Sequence, residues 1–113
     1  MGVLSSENKG IYSVREIDVQ NQIRKELSKY GVVIRLNTGN FELKDGRRII
    51  CGVKGLSDLL FIGKGVIAFI EVKGEKGKPT KEQINFIKVI NNLGHKAGIA
   101  RSVEEALKII YEL

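Results

Sequence analysis

Val66 to Ile70 is an unbroken apolar run, and the next residues are Glu71, Val72 and Lys73. A short β-branched and aromatic run without polar alternation is the pattern of a strand covered on both faces. It predicts a central strand over Val66 to Val72, with other strands beside it and helices above and below. The same segment raises a chemical question, because its far end carries a carboxylate and an ammonium two residues apart. In a strand those two side chains share a face. Ionised groups beside a core strand are costly unless they are paired or bound to a cation.

The flanking punctuation supplies the remaining elements. Met1 to Tyr12 is polar and Gly-containing and reads as a loose lead-in, leaving 13–113 as one domain. Ser13 opens a helical pattern through Val14, Ile17, Ile23, Leu27 and Tyr30. Gly31 follows as a stop, which predicts a helix from Val14 to Tyr30. Val32 to Leu36 reads as a strand. Phe41 to Lys44 and Arg47 to Cys51 flank Asp45-Gly46, a strong hairpin signal. Asp58 to Ile62 is a short strand, joined to Val66 to Val72 by the turn Gly63-Lys64-Gly65. Thr80 opens a second helix to about Leu93, Ala97 to Ala100 is a strand, and Ser102 opens a third helix to about Tyr111. One mixed sheet with helices on its faces accounts for this order, an α/β (or α+β) sandwich.

Composition narrows the function classes. The 113 residues are 42% hydrophobic and 28% charged, an ordinary globular balance for a single core. Lys and Arg total 19 against 13 Asp and Glu, a formal charge of +6, which favours a polyanionic partner such as nucleic acid. Cys51 is the only cysteine, which excludes an internal disulfide and a Cys-rich zinc site and suits a reducing, cytoplasmic setting. Neither a signal-peptide pattern nor an apolar run long enough for a membrane span is present. No Walker-type loop and no row of aromatic residues suggests nucleotide hydrolysis or single-strand stacking. His95 follows the helix stop at Gly94 and reads as a loop histidine.

The chemistry gathers around Glu71. Asp58 starts the neighbouring strand, and the tight turn between the two strands brings Asp58 and Glu71 to the same end of a hairpin. Two hard carboxylates there suit Mg²⁺ or Mn²⁺, with water and a phosphate oxygen completing the shell. Lys73 on the same side can stabilise phosphate charge or orient an attacking water. The plainer reading is a strand end, with Glu71 and Lys73 as a partly exposed ion pair of little energetic weight.

Several ordered segments resemble the virus-type replication–repair nuclease (VRR-Nuc) domain of the PD-(D/E)xK nuclease superfamily, in its small stand-alone phage or bacterial form. They are Glu16 with Val19-Gln20, Arg35-Leu36-Asn37-Thr38-Gly39, Gly55-Leu56-Ser57-Asp58, Glu71-Val72-Lys73, Gly77 through Phe86, and Gly94 through Ser102. The likeness spans the chain from about Arg15 onward. Ser57 stands where the superfamily name has proline. The resemblance implies a restriction-endonuclease-like core that cleaves branched or flapped DNA, similar to Holliday junction resolvases that act as dimers. It implies that Asp58, Glu71 and the Val72 carbonyl bind the metal, that Lys73 is the catalytic lysine, and that Glu16 and Gln83 serve the site.

Both supporting residues have a second reading. Ser13-x-x-Glu16 and Thr80-x-x-Gln83 are capping boxes, as is Ser102-x-x-Glu105. A side chain turned back to a helix end cannot also face a metal, so the two roles compete. Lys44, Arg47, Arg48 and Lys54 on one side of the motif, and Lys76, Lys78 and Lys81 on the other, suit a surface that tracks phosphates, with Arg35 as a further contact. A solvated charged face explains the same runs without a ligand. Symmetric cutting of a four-way junction needs two sites, which a homodimer provides. Phe86 and Val89 of the second helix are the candidate contact. A non-catalytic nucleic-acid-binding module, or a nuclease subunit active only with a partner protein, are the alternative functions.

Overall fold

The computed structural model describes residues 15–36, 39–42, 44–46, 48–51 and 53–111. The lead-in, Ser13, Val14 and Arg47 lie outside the described residues. Within them the order is α1 (Glu16–Leu27), β1 (Gly31–Arg35), β2 (Gly39–Glu42), β3 (Arg48–Cys51), β4 (Leu59–Gly63), β5 (Val66–Val72), α2 (Lys81–Asn92), β6 (Lys96–Ala100) and α3 (Val103–Tyr111). The chain is an α/β fold. Its main sheet has the strand order β1-β4-β5-β6, in which β1, β4 and β5 are antiparallel neighbours and β6 runs parallel to β5. No described helix is long and apolar enough to cross a membrane.

Alternation along the strands explains the layers. Leu59, Phe61, Ala68, Ile70, Val72 and Ala100 are buried on one face, where Val19, Ile23 and Leu27 of α1 and Ala106 and Ile110 of α3 close over them. Each large side chain so buried contributes about 1.5–3 kcal/mol. Gly98 lies on this face because α3 leaves no room for more, since a Cβ there would stand 2.8 Å from the Ile109 side chain. On the other face α2 lies over β6, with the Phe86 ring edge-on to Phe69 at 5.4 Å.

Three expectations are corrected here. The first helix stops at Leu27, and Ser28–Tyr30 form tighter turns through bonds such as Tyr30 N–H to Leu27 O. Gly31 is therefore no helix stop. It is the first residue of β1, and glycine is required there because a Cβ would meet the Ile62 carbonyl oxygen at 2.3 Å. The Asp45-Gly46 hairpin forms a two-stranded sheet of its own instead of joining the main sheet. Its described pairing runs from Gly39 with Cys51 to Glu42 with Arg48. The central strand β5 is covered on both faces only in part. Ala68, Ile70 and Val72 are buried, but Ile67 on the α2 side remains exposed.

Candidate active site

The register of β4 and β5 builds the site. Leu59 pairs with Ile70, so the next residues outward, Asp58 and Glu71, stand opposite each other at the end of the strand pair. Asp58 is held from both sides. Its carbonyl accepts the Leu36 N–H at 2.8 Å, and its Oδ2 accepts the Val72 N–H at 2.9 Å. The second bond spends one carboxylate oxygen on the backbone of the Glu-x-Lys segment and locks the two acids into one unit. Val72 itself is buried, with its side chain in the core.

Glu71 is only 1% exposed and Lys73 only 9%. Lys73 Nζ lies 3.3 Å from Glu71 Oε2. This is a buried pair, not the exposed strand-end pair of the plainer reading. Glu71 Oε1 is also buried and has no hydrogen-bond partner in the protein. Burial, and after it the charge of Asp58, raise the Glu71 carboxyl from the ordinary 4.5 to about 7, and Lys73 opposes that rise without overcoming it. A carboxylate so placed is under-compensated at neutral pH.

Glu16 belongs to the same electrostatic group. Its carboxyl is raised by burial first and by Asp58 second, while Lys73 pulls it down. The capping-box role falls away, because α1 begins at Glu16 with Arg15 as its N-cap. Glu16 therefore occupies the first helical position and not the third that a capping box needs. Arg15 turns to Asp18 instead, at 3.0 Å.

Gln83 goes the other way. Its Oε1 accepts the Thr80 N–H at 2.9 Å while its own N–H donates to Thr80 Oγ1 at 3.1 Å, a complete capping box. Its first turn nevertheless touches the loop that carries Asp58. Gly55 has φ of +80° and packs so closely on that turn that a Cβ would stand 2.2 Å from the Glu82 carbonyl oxygen. Lys54 reaches Glu82 at 3.8 Å across the same contact, an exposed pair of small weight.

Of the basic residues, Arg35 ends β1 one step from the Leu36–Asp58 bond, and Lys76 and Lys78 follow the Glu-x-Lys segment directly. Lys81 is exposed at the start of α2, Lys44 is exposed in the hairpin turn, and Arg48 begins β3. The hairpin leaves the main sheet between Arg35 and Leu59, at the Asp58 end. One residue was missed by sequence reasoning. Arg101, at the end of β6, donates from Nη1 to the Gly74 carbonyl at 2.6 Å. Its only sequence signal is its place after a strand parallel to β5.

Among the described residues no group of three or more His, Cys, Asp and Glu side chains is arranged to hold a metal ion. The side-chain donors available at the strand ends are two carboxylates, and the Val72 carbonyl is the backbone donor that the resemblance adds to them. One oxygen of Asp58 is already bonded, and one oxygen of Glu71 is buried and bare. That set fits a hard divalent cation which keeps several waters, as Mg²⁺ does. It does not fit a closed, all-protein cage. Among known proteins, no family model and no curated protein matches the chain.

Proposed function

We propose that the protein is a Mg²⁺- or Mn²⁺-dependent DNA endonuclease of the VRR-Nuc type, with a restriction-endonuclease-like core. The observation that carries this reading is Glu71. It is a buried carboxylate opposite a second carboxylate, paired to a buried lysine, and it keeps one bare oxygen at the end of a core strand. A structural ion pair needs neither the second acid nor the unpaired oxygen. A cation held by Asp58 and Glu71 would answer both.

The divalent cation, when bound, supplies Lewis-acid neutralisation of phosphate charge and activation of water. Asp58, Glu71 and the Val72 carbonyl would hold it. The Val72 N–H fixes the Asp58 carboxylate for that task. Lys73, fixed by Glu71, presents an ammonium to the developing charge on the phosphate. Glu16, whose carboxyl is raised by burial and by Asp58 and lowered by Lys73, is a third acid within electrostatic reach of the group and is assigned a supporting role there. Arg35, Lys76, Lys78 and Lys81, with the hairpin's Lys44, Arg47 and Arg48, are assigned to backbone phosphates, which position DNA without reading its sequence. Lys54 has a weaker claim, since it faces Glu82. Gln83 is assigned to the helix cap and not to catalysis. Preference for a four-way junction or flap rests on the resemblance.

The partner for symmetric cutting is a second copy of the chain. Of the two helix residues expected at that contact, Phe86 packs edge-on against Phe69 inside the chain, whereas Val89 is 45% exposed. The β1–β4–β5 half of the α2-side sheet face serves better. Val32, Ile34, Ile62 and Ile67 are neighbours there by register and are between 38% and 57% exposed. A chain of charge +6 meets its own copy best through a face free of cations, and these positions carry none.

The deciding assay incubates labelled four-way junction, flap, linear duplex and single strand with the protein and Mg²⁺ or Mn²⁺. Metal-dependent cutting of the branched substrates, abolished in Asp58→Ala and Lys73→Ala, is expected. Tight DNA binding that is indifferent to Asp58→Ala, with no cutting, would overturn the nuclease and leave a non-catalytic binding module. Cutting only on addition of a partner protein would make it a dependent subunit.

A further inference from the structure

Strands β5 and β6 are parallel, with Glu71 beside Ile99 and Val72 beside Ala100. Lys73 N–H extends the pairing by one bond to the Ala100 carbonyl at 3.1 Å. The residue after Ala100 therefore emerges at the same sheet end as the two acids and Lys73. That residue is Arg101. Its backbone N–H is anchored on Glu105 Oε1 at 2.7 Å. Its Nη1 donates to the Gly74 carbonyl at 2.6 Å and, more weakly, to the Glu75 carbonyl at 3.5 Å. The guanidinium thus lies half-buried against the first residues after Lys73.

Both acceptors are neutral carbonyls. Among the described residues no carboxylate pairs with the Arg101 guanidinium. Carbonyl contacts orient the planar fork without cancelling its charge, and they occupy one nitrogen of a group with five N–H donors. An oriented, always-charged fork with free donors is suited to a phosphate. Lys76 and Lys78 stand exposed on the same loop and outnumber its exposed Glu75, so Arg101 adds to a loop that is already net positive.

We propose that Arg101 is a phosphate-binding residue, which grips a DNA backbone phosphate beside Lys73 while its Nη1 stays on the loop. This rests on the reading of the protein as a DNA nuclease. Arg101 takes no proton and makes no bond in the reaction. It contributes to binding and to the seating of the scissile region.

The test is equilibrium binding of a four-way junction and of a linear duplex across a salt series, in EDTA so that nothing is cut. Wild type, Arg101→Gln and Arg101→Lys are compared, with circular dichroism to check folding. Each phosphate contact steepens the fall of log K with log salt by about 0.9. Arg101→Gln is expected to lower the slope by about that amount on both DNAs, and Arg101→Lys to keep it. A purely structural latch would weaken binding in both variants with the slope unchanged, and that result overturns the proposal. If Arg101→Gln does not fold, modification of wild-type Arg101 by phenylglyoxal decides. Protection by bound junction supports the contact, and unaltered modification overturns it. Wild type that binds neither DNA overturns the nuclease reading and this proposal together. Wild type that binds with a slope insensitive to Arg101→Gln overturns this proposal alone.

Discussion

Replacing Glu71 by glutamine is expected to stabilise the protein at alkaline pH, although it removes half of a buried ion pair. The folded protein raises the Glu71 carboxyl from 4.5 to about 7. A raised acid is stable in its protonated form. Its favourable contribution is complete below the unfolded value and is lost as pH climbs through the folded one. Stability should therefore fall between about pH 4.5 and pH 7. At 1.36 kcal/mol per unit the loss amounts to about 3 kcal/mol by pH 8.5. Glutamine mimics the protonated carboxyl and cannot ionise, so the variant escapes this loss. Urea unfolding at pH 5 and pH 8.5 reads the effect directly. The expected result is a gain for Glu71→Gln that grows from about 1 kcal/mol at pH 5 to about 3 kcal/mol at pH 8.5. Mg²⁺ should restore stability to wild type at pH 8.5 and leave the variant unmoved, because only the ionised carboxylate can hold it. A wild-type curve that is flat across this range, or a variant less stable at pH 8.5, would refute the argument that burial and Asp58 outweigh Lys73.

Three other predictions test the fold and its contacts. Val32→Asp combined with Ile67→Lys places charges on the bare sheet face. Analytical ultracentrifugation is expected to find a wild-type dimer and a folded monomeric variant, and a monomeric wild type would remove the proposed interface. Gly55→Ala meets both a left-handed φ and the Glu82 carbonyl, so it should cost about 1–3 kcal/mol or more in urea unfolding. Thr80→Ala removes one partner of the α2 capping box. It should cost about 1 kcal/mol and leave Mg²⁺-dependent stabilisation intact, which checks that this box lies outside the site.

Local signals carried much of the fold. The apolar run of β5, the Gly63-Lys64-Gly65 turn and the Thr80 and Ser102 helix starts were each legible within a few residues, because turns and caps depend on near neighbours. From those came the antiparallel β4–β5 pair, and with it the expectation that Asp58 faces Glu71. The limits of the first helix and the place of the hairpin were not legible. A helix end is set by which turn bonds the following strand leaves free, and Gly31 was claimed by β1 because only glycine fits against the Ile62 carbonyl. A hairpin signal, in turn, specifies a pairing but not the sheet it joins.

The candidate site divides along the same line. The residue types Asp58, Glu71 and Lys73, and their order, are properties of the sequence alone, as are the excess of positive charge and the lone Cys51. Whether the Glu71–Lys73 pair is solvated or buried was decided by the sheet and by the helices over it, since burial is a sum over distant contacts. Two identical-looking capping boxes took opposite roles. Thr80 and Gln83 closed theirs, whereas α1 began at Glu16 and put that carboxylate within electrostatic reach of Asp58 and Lys73. The bare apolar face of β1 and β4 and the reach of Arg101 to Gly74 likewise exist only in three dimensions. Sequence specifies the groups and their local options. Long-range packing selects among options of nearly equal local energy, by determining which groups lose water and which charges come near one another.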